Sequence, residues 1–345
     1  MNKKSVLGII LSSFLLLTSC GQKVAKEEPY VTRENYLLGT IVELKVYGEN
    51  AEKATNRAMD VISSIDDLMS PNKPNSEVSQ INSNSGKNYV KVSDDTLNVI
   101  KKSLYYSSLS EGAFDVTVGP LVNIWGIGTD HARVPSEKEI KEKLSLINYK
   151  DIEIDEKNES IKLKRNGQGI DLGAIAKGYA ADKVKEVLAE EGIKTAFINL
   201  GGNVVTLGKK TDGSDWNIGV QDPLETRGGY FAILKASNKS IVSSGNYERF
   251  FEKDGIRYHH ILDTKTGYPS NNELMATTII SEESIDGDAL STSIFVLGLD
   301  KGMKLIEGLK DVEAVFVTKD KKVYTTSGLK DSIKITNKEY VYEER

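Results

Sequence analysis

The spacing of apolar residues predicts a chain in which helices and strands alternate from about residue 36 onward. Apolar positions at helical spacing predict helices over residues 51–69, 93–109, 136–146, 174–191, 288–297 and 301–309. Alternating or β-branched runs predict strands over residues 36–47, 152–155, 160–164, 196–200, 216–220, 230–235, 247–251, 257–262, 275–280, 315–317 and 322–325. Because these elements interleave while the C-terminal half is rich in hairpins, the pattern favours an α+β fold of mixed sheets and packed helices.

The first twenty residues have the pattern of an export signal. Lys3 and Lys4 precede a short apolar run over residues 6–17, which is too short to cross a bilayer comfortably. The run ends in Leu17-Thr18-Ser19-Cys20, which resembles the bacterial lipobox and implies cleavage before Cys20 with lipid attached to that residue. The alternative is an ordinary secretory signal with an incidental cysteine.

The lipobox interpretation divides the chain into three parts and predicts its location. Residues 1–19 are expected to be a lipoprotein signal peptide, residues 20–33 a lipidated cysteine with a polar tether, and residues 34–345 the functional domain. Several acyl chains on Cys20 would hold the protein firmly, because each buried CH₂ contributes about 0.8 kcal/mol. The predicted location is the extracytoplasmic face of the bacterial cell membrane, with the lipid as the anchor.

Composition and charge exclude several classes of protein and metal site. The 345-residue chain carries a formal net charge of -5, which argues against nucleic acid as a partner because nothing globally basic attracts a polyanion. A single cysteine excludes an internal disulfide framework and a cysteine-rich zinc site. With only 3 histidines, any metal is expected to be held by oxygen ligands.

Two segments carry residues suited to a phosphate and a divalent cation. Asp171 stands just before a predicted helix and Lys177 lies one turn into it, where free N–H groups and an ammonium suit a phosphate. Asp288 and Thr292 are four residues apart in another predicted helix, so they share a face and offer two oxygens to Mg²⁺. The structural alternatives are Asp171 as a helix cap, Asp288 as an N-cap and Thr292 bonded back to its own helix.

Two further segments are candidates for binding a flat ring and for moving a proton. Residues 112–120 place Phe114 between glycines, where an aromatic side chain can wall a flat ring. Residues 258–267 deliver His259 and His260 from a strand on opposite faces, so at most one of them faces a given cleft. The structural alternatives are a core phenylalanine in a turn-rich stretch and a hairpin loop with solvent-facing histidine.

These four segments, in this order, resemble those of the FAD:protein FMN transferases, the ApbE-like flavin transferases. The resemblance extends over about residues 36–328, nearly the whole chain after the signal. Further matching stretches are Leu38-Gly39-Thr40 and residues 76–82, 198–203 and 244–250. The resemblance implies a single α+β body of the T-fold-like type and makes residues 34–345 a flavin transferase domain.

The resemblance also implies a reaction, in which Mg²⁺ assists transfer of FMN from FAD to a threonine hydroxyl of an acceptor protein and AMP leaves. The acceptor is expected to be an exported or membrane-bound flavoprotein with a short threonine-containing motif. Phosphoryl transfer depends mainly on positioning and charge neutralisation. Two other hypotheses about the function stay open. One is a Mg²⁺-dependent FAD pyrophosphatase that gives FMN and AMP, and the other is a flavin-binding lipoprotein that catalyses no reaction.

Carried over position by position, the resemblance implies three groups of site residues. The metal ligands would be Asp288, Thr292, the backbone carbonyl of Ala174, and Ser291. The FAD-contacting residues would be Leu38, Asn72, Ala113, Phe114, Asp115, Asp171, Lys177 and Ile261, with Lys177 at the diphosphate. His260 would be the base or the orienter for the threonine hydroxyl, because an unperturbed histidine titrates near neutral pH.

Four positions depart from the family pattern. Leu38 replaces a usual methionine, and Asn246 replaces a frequent aspartate. Asn72 stands where an aromatic residue commonly stacks on the flavin, so the ring is expected to rest on another aromatic or to bind less tightly. Thr264 replaces a proline and is expected to loosen the turn after residue 263.

Overall fold

A nine-stranded sheet forms the centre of the computed structural model, which describes residues 28–330 and 332–344. The strands of this part are β1 (Tyr30–Leu37), β2 (Thr40–Tyr47), β3 (Val90–Lys91), β4 (Ile152–Asp155), β5 (Ser160–Leu163), β6 (Thr195–Leu200), β7 (Asn203–Leu207), β8 (Trp216–Gln221), β9 (Tyr230–Ala236), β10 (Ser240–Gly245), β11 (Phe250–Lys253), β12 (Ile256–His259), β13 (Leu274–Ser281), β14 (Glu313–Thr318), β15 (Lys322–Thr325), β16 (Ile333–Ile335) and β17 (Val341–Tyr342). The helices are α1 (Ala51–Met69), α2 (Glu77–Ser83), α3 (Asp94–Leu109), α4 (Gly119–Trp125), α5 (Glu137–Leu144), α6 (Ala176–Glu190), α7 (Ser284–Leu297) and α8 (Leu299–Glu307).

The large sheet has the strand order β1-β2-β6-β7-β10-β13-β14-β15-β17. Its neighbouring strands run antiparallel up to β15, and β15 pairs with β17 in parallel. Two three-stranded sheets have the orders β16-β9-β8 and β3-β5-β4, and β11 pairs with β12 as a hairpin. Within this sheet, β1–β2, β6–β7 and β14–β15 are hairpins, and the other neighbouring pairs are joined through intervening elements.

Helices cover one face of the large sheet, and the β16-β9-β8 sheet covers part of the other. On the helical side, Leu44 of β2 packs in the same buried cluster as Ile62 of α1. On the opposite side, Phe231 and Leu234 of β9 share a second cluster with Val315 of β14. Fully burying side chains of this size stabilises a fold by about 1.5–3 kcal/mol each. The prediction of one α+β body with mixed sheets and packed helices is confirmed.

The segment predicted as a single strand over residues 36–47 is a hairpin. β1 and β2 pair in the register Leu37↔Thr40, and the two turn residues Leu38 and Gly39 have φ angles of 54° and 69°. The apolar alternation continues through the turn, so the pattern gives no sign of it. β1 begins at Tyr30, inside the segment 20–33 that we predicted as a tether.

Helix α7 begins at Ser284, four residues before the predicted start at residue 288. Ile285 is the only apolar side chain of its first turn, whose other residues are serine, aspartate and glycine, so apolar spacing misses this turn. Asp288 therefore lies inside the helix, and the alternative of Asp288 as its N-cap is wrong. Helix α6 begins at Ala176 with Ile175 at the N-cap position and no side-chain cap bond, so Asp171 does not cap it either.

Other predicted boundaries hold or move by a few residues. α1 spans 51–69 as predicted, and Ser93 and Ser136 cap α3 and α5 with their side chains. β12 ends at His259, so His260 leaves the strand.

No helix among the described residues is long and apolar enough to cross a bilayer. Cys20 and the predicted signal peptide lie outside the described residues.

Candidate active site

A cavity of about 410 Å³ opens where the β1–β2 turn and the end of β10 meet helices α6 and α7. Nearly all the predicted site residues line it: Leu38, Asn72, Ala113, Phe114, Asp115, Asp171, Ala174, Lys177, His260, Ile261, Asp288 and Thr292. A cavity of this size suits a small-molecule ligand. The structure therefore brings together, in one site, residues that the sequence distributes from position 38 to position 292.

Asp288 and Lys177 form an ion pair in the cavity wall, in which the carboxylate is buried and the lysine is partly exposed. The Lys177 ammonium lies 3.1 and 3.3 Å from the two carboxylate oxygens of Asp288, which is only 3% exposed. The backbone N–H of Gly178 donates to the same carboxylate at 2.9 Å, and the ammonium donates to the carbonyl of Gly173 at 3.0 Å. A positive charge thus sits between a carboxylate and a backbone carbonyl.

Gly178 lets α6 approach α7 closely enough for this arrangement. A Cβ atom at Gly178 would stand 2.3 Å from the carbonyl oxygen of Ser284 and 2.7 Å from Cα of Ile285, both in the backbone of α7. Distances this short exclude any side chain at the crossing. The crossing also places Asp182 of α6 over the first turn of α7, where it accepts from the N–H groups of Ser284 and Ile285 at 2.7 and 2.8 Å.

We expect Gly178→Ala to separate α6 from α7. The variant should be less stable, and the hydrogen bond between the N–H of residue 178 and the Asp288 carboxylate should lengthen. Overpacking of this kind costs about 1–3 kcal/mol, which thermal unfolding would show as a lower Tm. Gly308→Ala is the control, because a Cβ there meets its nearest heavy atom at an ordinary 3.4 Å. Equal Tm values for the two variants would contradict the steric argument.

Thr292 faces the cavity, whereas Ser291 lies behind its wall. The Ser244 hydroxyl is 3.4 Å from Thr292 Oγ1 and 2.8 Å from Ser291 Oγ. Ser291 is fully buried, donates to the carbonyl of Asp288 at 3.0 Å and is absent from the cavity lining. The structure thus places Asp288 and Thr292 on one face, as predicted, and does not bring Ser291 to the same surface.

The two other carboxylates predicted for the site, Asp171 and Asp115, are tied to nearby backbone. Asp171 accepts from the N–H of Gly173 at 2.7 Å. Burial raises the pKa of Asp171, opposed by that hydrogen bond and by the positive charges of Arg249 and Lys177. Asp115 accepts from the N–H and the hydroxyl of Thr117 at 2.8 and 2.6 Å, and from the N–H of Tyr149 at 2.9 Å. Burial raises the pKa of Asp115 while these donors oppose it, so this side chain shapes the loop that carries Phe114.

The two histidines point in different directions, as predicted, although His260 lies just beyond the end of β12. His259 is 5% exposed, and its Nε2 lies 2.9 Å from the carbonyl of Ser270. His260 lines the cavity, with Nδ1 3.3 Å from the carbonyl of Arg249. Because a carbonyl only accepts, this contact requires the proton on Nδ1 and leaves the lone pair on Nε2. Burial, followed by the charge of Arg249, lowers the pKa of His260 to about 3.

Comparison with known proteins decides the family. The model of the ApbE family matches residues 38–316. This chain belongs to the ApbE family. It is similar to a FAD:protein FMN transferase of Klebsiella pneumoniae (strain 342), with 38% identity over 291 residues, 84% of this chain and 90% of that relative. It is also 30% identical over 354 residues to the FAD:protein FMN transferase of Treponema pallidum (strain Nichols), covering 98% of this chain and 97% of the relative.

Solved structures of ApbE proteins share this fold. The ApbE protein of Thermotoga maritima superposes with a TM-score of 0.82 at 32% identity, over 88% of this chain and 99% of that chain. The flavin transferase ApbE of Vibrio cholerae superposes with a TM-score of 0.78 at 28% identity, over the same shares of the two chains. The α+β architecture derived from the sequence is therefore that of the ApbE family.

Arg249 is a cavity residue to which sequence analysis gave no role. Its Nη2 donates to the carbonyl of Gly39 at 3.0 Å, and its backbone carbonyl accepts from the N–H of His260 at 3.0 Å. Its side chain also covers Gly128, where a Cβ would stand 3.3 Å from Arg249 Cδ. The sequence does contain a signal for this residue, because Arg249 lies in the stretch 244–250 that matches the ApbE family.

Asn203 is another cavity residue to which the sequence analysis gave no role. It is 2% exposed and lines the cavity, and its Nδ2 has no hydrogen-bond partner within the described part of the chain. Leaving a buried donor unpaired costs about 1–3 kcal/mol. Asn203 follows the glycine pair at positions 201 and 202, a motif that the sequence analysis noted only as matching the ApbE family.

The flavin-binding part of the predicted site contains Leu38, Asn72 and Phe114. Leu38 and Asn72 lie at the cavity rim, with Asn72 exposed, and Phe114 supplies a phenyl ring to the lining while being 3% exposed. At the turn after residue 263, where Thr264 is predicted to loosen the chain, its hydroxyl donates to the carbonyl of Gly112 at 2.5 Å. That bond ties the turn to the loop that carries Phe114.

Proposed function

We propose that this ApbE family member transfers FMN from FAD to a threonine hydroxyl of an acceptor flavoprotein, with Mg²⁺ as cofactor and AMP as the second product. The proposal rests on one observation above all. In a single cavity, a lysine ammonium, a carboxylate–hydroxyl pair and a neutral histidine face the same space. The transferase names of the relatives support the choice of reaction.

The oxygen donors of the cavity fit a divalent cation. Asp288 supplies a carboxylate and Thr292 a hydroxyl from the same face of α7, and Gly173, just before α6, supplies a backbone carbonyl. These are the hard oxygen ligands that Mg²⁺ prefers. The Lys177 ammonium between Asp288 and the Gly173 carbonyl shows that this spot stabilises positive charge. The carbonyl beside that ammonium belongs to Gly173, one residue before the predicted Ala174.

Bound Mg²⁺ would neutralise diphosphate charge and favour departure of the leaving group. The chain itself supplies the remaining positive charge through Lys177 and Arg249, which both line the cavity. Cations placed at the phosphates stabilise charge that develops on the transferring group. Lys177 would bind the diphosphate, and Arg249 would hold the β1–β2 turn against the opposite side of the cavity.

His260 is suited to take the proton of the incoming hydroxyl. The threonine oxygen forms a bond to the phosphorus of the FMN half, the anhydride P–O bond breaks, and AMP leaves with that electron pair. Nε2 of His260 carries the lone pair, because Nδ1–H is directed at the Arg249 carbonyl. The negative diphosphate raises the pKa of a nearby imidazole, so substrate binding makes this nitrogen a stronger base.

Hydrolysis of FAD to FMN and AMP is the second candidate function. It uses the same cavity with water in place of the threonine hydroxyl. Asn72 favours it, because this side chain is exposed at the rim and offers no ring face to cover the flavin. An uncovered rim leaves water access to the reacting phosphate.

One incubation distinguishes the candidate functions. The full chain is mixed with FAD, Mg²⁺ and the flavin-free form of an exported electron-transfer flavoprotein, and the acceptor is weighed by mass spectrometry. A covalent FMN adduct together with AMP supports the transferase. AMP and free FMN without an adduct support hydrolysis, and intact FAD rejects both reactions.

We expect Asn203→Leu to weaken FAD binding without loss of stability. The unpaired amide of Asn203 is placed to donate to a ligand oxygen, and losing one such bond costs about 1 kcal/mol, or roughly a fivefold change in Kd. Ser240→Ala is the control, because the Ser240 hydroxyl is buried and unpaired in the described residues but does not line the cavity. Equilibrium titration gives the Kd for FAD of each variant. Equal values for the two variants would contradict the proposed contact between Asn203 and FAD.

We propose that Cys20 carries the lipid anchor and that the domain works on the extracytoplasmic face of the cell membrane. The support is the lipobox-like stretch at positions 17–20 and the single cysteine of the chain. Cys20→Ala is expected to lose incorporation of labelled palmitate and to move the protein from the membrane fraction to the soluble fraction. Undiminished labelling of this variant would reject the anchor.

A further inference from the structure

Helices α6 and α7 exchange hydrogen bonds at two points of their crossing. The N–H of Gly178 in α6 donates to the Asp288 carboxylate of α7 at 2.9 Å. In the other direction, the Asp182 carboxylate of α6 accepts from the N–H groups of Ser284 and Ile285 in α7 at 2.7 and 2.8 Å. Residues 178 and 182 are four apart in α6, as residues 284 and 288 are in α7, so each pair shares one face of its helix. The two sets of bonds therefore join the same two helix faces about one turn apart.

The N-terminus of α7 is capped from α6. The first N–H groups of a helix have no acceptor inside that helix. The N-cap residue of α7, Glu283, makes no side-chain cap bond within the described part of the chain. Asp182 supplies its two oxygens instead, one to each N–H group, from a position that is only 5% exposed. The start of α7 is thus fixed to a neighbouring helix.

The position of Asp288 depends on the same crossing. Its carboxylate faces the Lys177 ammonium, which also contacts the carbonyl of Gly173 just before α6. Ser284, which Asp182 holds, stands one turn before Asp288 in α7. Because each helical N–H bonds to the carbonyl four residues earlier, residues 284 and 288 move together. Asp182 itself does not line the cavity, so it acts on the site only through α7.

We propose that Asp182 is a positioning residue for the cation site. By holding the start of α7 against α6, it sets the distance between the Asp288 carboxylate and the Gly173 carbonyl. A cation that binds both oxygens requires the two helices to keep a fixed separation. This inference rests on the proposed function, which places Mg²⁺ at Asp288.

Amide hydrogen exchange, resolved by residue, tests the coupling without metal or substrate. In Asp182→Asn the one amide oxygen replaces two carboxylate oxygens, so an N–H group of α7 loses its acceptor. We expect faster exchange at residues 284 and 285, and also at residue 178, whose N–H donates to Asp288. Faster exchange at residues 284 and 285 alone would confine Asp182 to capping α7 and would overturn the proposal.

Titration with Mg²⁺ measures the effect on the site itself. We expect Asp182→Asn to raise the Kd for Mg²⁺, and the KM for Mg²⁺ in FMN transfer, about tenfold. The kcat at saturating Mg²⁺ and the Kd for FAD should stay unchanged, since no group inside the cavity is altered. Calorimetry gives the Kd values, and initial rates of adduct formation give KM and kcat. All samples are kept at about pH 8, where the carboxylate is ionised although burial raises the pKa of Asp182 to about 7.

Two control variants separate positioning from stability and from charge. Glu77 of α2 accepts from the N–H and the hydroxyl of Ser93, both at 2.8 Å, at the start of α3, and it does not line the cavity. Glu77→Gln should lower Tm and leave the Kd for Mg²⁺ unchanged. Asp286→Asn removes a carboxylate of α7 that does not line the cavity and should also leave that Kd unchanged. A rise in either control equal to that in Asp182→Asn would contradict the positioning role.

The unaltered chain provides a test that needs no variant. Coupling between two sites is reciprocal, so Mg²⁺ should slow amide exchange at residues 284 and 285 and leave residue 93 unchanged. Unchanged exchange at residues 284 and 285 with Mg²⁺ bound overturns the positioning role and leaves the transferase proposal intact. If calorimetry shows no Mg²⁺ binding to the unaltered chain, with or without FAD, the cation is lost from the proposed function and the positioning role fails with it.

Discussion

Asp288→Asn is expected to lower kcat/KM for FMN transfer about 10³-fold in a protein that stays folded. The asparagine keeps the shape of the side chain, and its Oδ1 can still accept from the N–H of Gly178, as the Asp288 carboxylate does at 2.9 Å. What the variant loses is the negative charge that pairs with Lys177 at 3.1 Å and that would bind Mg²⁺ in the proposed mechanism. We expect Asp288→Ala to be equally inactive and less stable, because it also leaves the buried N–H of Gly178 without its acceptor.

The control for this prediction lies on the same helix. Asp286 is two residues earlier in α7, pairs with Lys102 at 2.8 Å and does not line the cavity, so Asp286→Asn should retain full activity. Activity is measured as adduct formation over a range of Mg²⁺ concentrations and again after addition of a chelator. A rate that is normal in Asp288→Asn and unaffected by the chelator would remove the cation from the proposed mechanism.

His260→Asn is expected to lower kcat for transfer by about 10²–10⁴, the range for loss of a general base. Binding of FAD should be nearly unchanged, because Lys177 and Asn203 are intact. His131→Asn is the matched control, since His131 is exposed and lies outside the cavity lining. An undiminished rate in His260→Asn would show that another group takes the proton, or that the histidine has no part in the chemistry.

The low pKa of His260 also predicts a pH dependence. With its pKa lowered to about 3 by burial, the imidazole of the free protein stays neutral from neutral pH down to about pH 4. In the unfolded chain the same imidazole has its ordinary pKa of about 6.5. Between about pH 3 and pH 6.5 the unfolded state therefore binds more protons than the folded state, and stability rises with pH. The resulting stability is therefore fully present above about pH 6.5 and is lost as the pH falls toward 3.

Two measurements check this pH dependence. Thermal unfolding between pH 7 and pH 4 should show a smaller loss of Tm in His260→Asn than in the unaltered chain. His259, whose pKa burial lowers to about 4, contributes in the same direction and remains in both proteins. The kcat/KM profile for FAD should show no decline from His260 protonation between pH 7 and 5, since this profile reports the free enzyme.

Local patterns predicted most helices because their signals are contained in neighbouring residues. Apolar spacing gives both ends of α1, and serine at positions 93 and 136 caps α3 and α5 through side-chain bonds within three residues. The same reasoning overlooked β7 and β10, which begin or end in polar residues and carry no clear alternation. Their place between β6 and β13 depends on partners elsewhere in the chain.

The sequence by itself determined which residues of this protein are candidates for its chemistry. Asp171, Lys177, His260, Asp288 and Thr292 were identified from residue type, spacing and family resemblance, and all five line one cavity. Only the tertiary structure decided how they meet, because their contacts join positions such as Lys177 and Asp288 that are 111 residues apart. That contact depends on two helix backbones crossing at Gly178. The role proposed for Arg249 depends on its reaching the carbonyl of Gly39, and the one proposed for Asn203 on its unpaired amide at the cavity. Such distances are set by packing of the whole core, and no local pattern contains them.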